Sequence, residues 1–229
     1  MKKIITLIMS LIFACTVHAQ KDVTTFLGIP VDGTKSEMRK KLIAKGFTPT
    51  KQVGADFLDG EFNGVDVHLY IETNNNKVYR IMLADANTRD EANIKIRFNT
   101  LVSQFNNNKR YICLDDFELS ESEDISYGMN VENQIYQAAF CQAPELILKG
   151  DTLAFQKKLR KEALKEFTAE QLQNPTEAVQ EAIDKIITVY GLNLLSKKIV
   201  WFQICSLYGK YYITMYYDNE YNHANGEDL

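Results

Sequence analysis

Residues 65–72 alternate without interruption: Val65, Val67, Leu69 and Ile71 take every second position, with Asp66, His68, Tyr70 and Glu72 between them. A period of two means a strand with one face in a core and the other turned outward, because successive side chains leave a strand on opposite sides. Asn63-Gly64 just before it is a two-residue hairpin signal, since both turn positions take positive φ. Asn74-Asn75-Asn76 makes the next turn, and Val78 to Leu83 returns. Strands joined by turns this tight run antiparallel, so the chain is organised around an antiparallel sheet with one buried face.

Helices flank this meander. Thr34-Lys35-Ser36-Glu37 matches a capping box, Met38, Leu42 and Ile43 supply one apolar face, and Gly46-Phe47 forms the stop. A second box, Thr88-Arg89-Asp90-Glu91, opens a helix with Ile94, Phe98, Leu101, Val102 and Phe105 on one side. Phe26 to Pro30 reads as a short extended entry, and two further strands are expected at about 110–119 and 127–141. A helical insertion follows at about 151–190. It has a charged first helix marked by Leu153, Leu159, Leu164 and Phe167, and a second that opens at Asn174-Pro175-Thr176-Glu177 and closes at Gly191. The final hairpin, Ile199–Tyr208 and Lys210–Tyr217, turns at Gly209. The expected fold is a single α+β domain over residues 20–229, with an antiparallel sheet, helices on one face and the order α-βββ-α-ββ-αα-ββ.

The first residues point to export. Lys2 and Lys3, an apolar stretch from Ile4 to Ala14 and Val17-His18-Ala19 are the parts of a signal peptide, with the cut before Gln20. The alternative is lipid attachment at Cys15, which Phe13 fits poorly. The expected location is therefore periplasmic or secreted. The net charge of −4 becomes more negative once the leader's lysines are removed, which argues against nucleic acid as a partner. No later segment is apolar enough to form a transmembrane helix. Cys113, Cys141 and Cys205 sit in apolar, strand-like runs and read as three buried free thiols; the alternative, which an oxidising compartment permits, is one disulfide among them.

The element order is similar to the small α+β fold of secretion chaperones, an analogy that carries no function. Phe26-Leu27-Gly28-Ile29-Pro30-Val31-Asp32-Gly33, Lys77-Val78-Tyr79-Arg80-Ile81 and the terminal Asn225-Gly226-Glu227-Asp228-Leu229 resemble segments of uncharacterised exported proteins of gut Bacteroidetes. The likeness extends over most of the mature chain. It implies the compartment and no activity.

Chemistry-bearing motifs are scarce. His68 and His223 have no partner nearby in the sequence to orient them, as a catalytic base requires. The acids Asp115, Asp116, Glu118, Glu121, Glu123 and Asp124 lack the spacing of a calcium loop, and Asp218, Glu220 and Asn222 are followed by His223 where such a loop needs glycine. Lys157, Lys158, Arg160, Lys161 and Lys165 alternate with acids and read as a solvated helix face. There is no phosphate loop or dinucleotide fingerprint, so no cofactor and no metal are expected. The final hairpin carries the most suggestive surface. With Val200, Phe202, Ile204, Ile213 and Met215 turned inward, Trp201, Gln203, Tyr212, Thr214 and Tyr216 share the opposite face. Rings with polar tips suit partner surfaces and sugars; the competing expectation is that the helical insertion covers them. The chain is thus expected to be a non-enzymatic binding protein for a protein or a glycan, with Trp201, Gln203, Tyr212 and Tyr216 as contacts. The alternatives are a hydrolase using Asp115, Asp116 or Glu118, and a folding or secretion helper.

Overall fold

The computed structural model describes residues 21–113, 115–150 and 152–224. The leader, Cys15 and the terminal Asn225–Leu229 segment lie outside the described residues. The chain folds as α+β, with an eight-stranded antiparallel sheet in the order β3-β4-β5-β6-β10-β9-β8-β7 and a separate two-stranded ribbon, β1-β2. The strands are β1 (Thr25–Phe26), β2 (Ile29–Pro30), β3 (Thr48–Pro49), β4 (Leu58–Phe62), β5 (Val65–Asn74), β6 (Lys77–Asp85), β7 (Tyr111–Cys113), β8 (Gln137–Gln142), β9 (Ile199–Leu207) and β10 (Lys210–Asp218). The helices are α1 (Lys35–Ile43), α2 (Glu91–Asn106), α3 (Ile125–Asn130), α4 (Glu145–Leu148), α5 (Thr152–Ala163), α6 (Ala169–Gln173) and α7 (Glu177–Ser196).

Three tight turns set the sheet register. Asn63-Gly64, Asn75-Asn76 and Tyr208-Gly209 each place two consecutive residues at positive φ, the twist that right-handed hairpins require. The expected entry at Phe26–Pro30 is itself a hairpin, turning at Leu27-Gly28 with both residues at positive φ. α1 begins at Thr34 with the full capping box. α2 begins two residues later than its box suggests, with Asp90 as the N-cap. Arg89 is held extended by a bridge to Tyr211, through bonds of 2.6 and 2.8 Å, so the helix cannot start at Thr88.

One face of the sheet and helices α1 and α2 enclose the core. Leu69, Ile71, Ile81, Leu83, Val200, Phe202, Ile213 and Met215 meet Met38, Leu42, Ile94, Phe98, Leu101 and Phe105, all buried. Phe98 packs edge-on against Phe202, and Phe105 stacks on Phe140. Burying a large apolar side chain is worth about 1.5–3 kcal/mol, so this layer supplies most of the drive for folding.

Three expected elements differ. The strand expected at 110–119 shortens to Tyr111–Cys113. That expected at 127–141 becomes α3 followed by β8, because Asp124 caps a helical turn by accepting from the Tyr127 N–H. Gly128 is required there, since a Cβ would lie 2.1 Å from the Tyr136 hydroxyl. α7 runs through Gly191 to Ser196, as that glycine takes no positive φ. Cys141 is buried, Cys205 half-buried and Cys113 exposed, and none of the three is bridged, so only one fits the expectation of buried thiols. No described helix is long and apolar enough to cross a membrane.

Candidate functional site

The sheet's second face is a grid read directly from the strand register. Tyr70 pairs with Met82, Met82 with Tyr216, Tyr216 with Trp201 and Trp201 with Ala139. This row crosses five strands, and Tyr70 and Trp201 stand three strand spacings apart, about 14 Å. On one side runs a row of Asp59, His68, Ala84, Thr214, Gln203 and Gln137. On the other side, Glu72, Arg80 and Asp218 align. Tyr212 and Cys205 pair beyond Thr214 and Gln203. Trp201, Gln203, Tyr212 and Tyr216 therefore share one face as their parity implied, and all four are half-exposed. Thr214 is buried among them, with its Oγ1 3.3 Å from the Cys205 Sγ.

The rings are fixed by a network that starts at Asp218. This carboxylate, 4% exposed, accepts from Arg80 Nε at 2.6 Å and Arg80 Nη2 at 2.9 Å, and from Trp201 Nε1 at 3.0 Å. A two-point guanidinium contact sets orientation as well as charge, and the bond to Asp218 pushes the Arg80 pKa above its ordinary value. Trp201 and Tyr216 stack at 4.0 Å with 16° between their planes. The Arg80 guanidinium lies 4.9 Å from the Tyr216 ring centre, within cation–π range. Glu72 extends the network by accepting from the Tyr79 hydroxyl at 2.6 Å, a bond that raises the Tyr79 pKa.

A second aromatic group stands on the β4–β5 side. His68 Nδ1 lies 2.8 Å from Asp59 Oδ1, and Phe57 packs against both His68 and Tyr70. The histidine thus has an oriented partner on the neighbouring strand, which local sequence did not reveal. Burial, followed by the Asp59 charge, raises the Tyr70 pKa, and burial likewise raises that of Tyr212.

Sequence reasoning missed Arg80, Met82 and Asp218. A β-bulge at Glu72/Thr73 leaves Tyr79 as an extra residue in β6, so Val78 and Ile81 both point inward and simple alternation fails there. Asp218 lies one residue past the expected end of the final hairpin at Tyr217, whereas it is the last residue of β10.

Among the described residues, the central rows keep Trp201, Gln203, Tyr212 and Tyr216 half-exposed, and α7 of the insertion buries no residue. Helices α5 and α7 pack on each other, and α7 meets the sheet at the end of β8, where Cys141 is buried. Concavities of about 660 and 510 Å³ open elsewhere, on the outer side of α2, lined by Lys95, Ile96, Asn99 and Leu119 and by Arg89, Asp90, Arg97 and Lys210 respectively. Asp115, Asp116 and Glu118 are exposed. Asp115 and Asp116 each accept from a following backbone N–H. Asp218, Glu220 and His223 lie close enough to share an ion, but both Asp218 oxygens are already taken by Arg80 and Trp201.

Comparison with protein-family models, with curated proteins and with solved structures finds no match for this chain.

Proposed function

We propose that this is an exported, non-enzymatic binding protein that recognises a protein or a glycan through the open face of its sheet. Export is supported by the basic start, the apolar run and the Val17-His18-Ala19 site. The observation carrying the binding role is the half-exposed Trp201–Tyr216 stack, held by Arg80 and Asp218 in rows that the described helices leave partly exposed. Rings fixed before a partner arrives lose little conformational freedom on binding, which is how aromatic anchors come to dominate interfaces.

Tyr212 and Tyr216 point outward and lie outside the core cluster, so their truncation leaves the fold in place. The Tyr212→Ala/Tyr216→Ala variant is expected to keep its unfolding transition and to weaken partner binding by about tenfold or more, the usual consequence of removing aromatic anchors. Surface plasmon resonance against each captured partner measures this. Unchanged binding of every partner would refute the proposal.

A further inference from the structure

We infer that the molecule bound on this face is a neutral, hydroxyl-rich glycan laid across the strands. This rests on reading the face as a recognition surface and adds the chemical class of the ligand. Charge is the first argument. Arg80, the cation of the central rows, is already matched by both oxygens of Asp218, with Glu72 at 3.9 Å, and the His68 ring Nδ1 is taken up by Asp59. Among the described residues of the central rows, an anionic ligand would meet three carboxylates and no unmatched cation, and one bearing positive charge would have to compete with Arg80 for Asp218.

The second argument is the mixture of groups. Tyrosine hydroxyls at positions 70, 212 and 216 and amides at Gln203 and Gln137 can donate and accept, which suits sugar hydroxyls. Apart from Ala84 and Ala139, Met82 is the only aliphatic side chain in the grid. The core of a protein interface is depleted of charged residues, whereas this grid carries Asp59, Glu72, Arg80 and Asp218. The third argument is shape. Tyr216 covers one side of the indole at 4.0 Å, while the cross-strand neighbour on the β8 side is Ala139, whose methyl cannot cover a ring. A ring of C–H bonds can pack there, with its hydroxyls reaching Gln203 and Gln137.

Trp201 is the chain's single tryptophan, so its fluorescence reports on this site alone. The mature chain is titrated with short neutral oligosaccharides of glucose, mannose and xylose, and with acidic oligogalacturonate and heparin fragments. At least one neutral series is expected to shift Trp201 emission saturably, with calorimetry giving the same affinity, and no acidic fragment to bind as tightly. Tyr212→Ala and Gln203→Ala, both at half-exposed positions, should each weaken that binding severalfold without moving the unfolding midpoint. Failure of every neutral series, or tighter binding of an acidic fragment, overturns the inference. If protein capture is still lost in the Tyr212→Ala/Tyr216→Ala variant, the face is a protein-binding surface and only the ligand class is wrong; if nothing depends on these rings, both readings fall.

Discussion

Arg80 and Asp218 lie 138 residues apart in sequence yet together contact both rings of the Trp201–Tyr216 stack. A carboxylate as buried as Asp218 is tolerated only while its charge is matched, and removing one partner of such a pair costs far more than the pair itself contributes. Arg80→Ala is therefore expected to destabilise the fold by about 3 kcal/mol, the low end for a buried pair because the arginine side chain is 22% exposed. Urea unfolding followed by circular dichroism measures it, and a loss below about 1 kcal/mol would contradict the account. Arg80→Lys keeps the charge without the two-point contact and should fall between. None of this network was legible in the sequence. The extra residue Tyr79 breaks the alternation of β6 beside Arg80, and pairing between β6 and β10 is a long-range fact. The outward parity of Trp201, Gln203, Tyr212 and Tyr216 was legible, because a hairpin that turns at Gly209 and has an alternating inner face leaves them nowhere else to point.

At the scale of elements, local chemistry predicted what local chemistry decides. The capping box at Thr34 and the turns at Asn63-Gly64 and Gly209 formed as expected, since each is set by a few adjacent residues. Errors arose where a distant partner intervened. Tyr211 holds Arg89 extended and delays α2, and the Tyr136 hydroxyl against Gly128 fixes a helical turn where a strand was expected. The insertion's place in the fold also follows from register. Cys141 pairs with Ile199, and the Gln142 N–H donates to the Lys198 carbonyl at 2.8 Å, so β8 and β9 are neighbours that a short turn could join. α7 contains no fully buried residue, so the core loses little without it. Replacing residues 150–196 with a short glycine–serine linker is expected to leave cooperative unfolding at a similar urea midpoint, with the near-ultraviolet signature of the packed aromatics retained. A product that has lost its cooperative transition would show instead that the insertion belongs to the core.

The whole molecule is a two-layer arrangement with one layer missing on one side. Helices α1 and α2 close the inner face of the sheet, and the outer face keeps its central rows open. Sequence specified the inner and outer faces of β5, β9 and β10 but not which face would be roofed, because that depends on the direction an insertion takes as it leaves β8. The fold class was legible in alternation and turns, whereas the proposed role rests on the side of the sheet left partly exposed. Trp201 offers the most direct test of that openness. Quenching of its fluorescence by acrylamide should be efficient in the full chain and unchanged when residues 150–196 are replaced by the linker. A tryptophan shielded in the full chain, and reached by acrylamide only after that replacement, would mean that the insertion covers the face and that no recognition surface exists there.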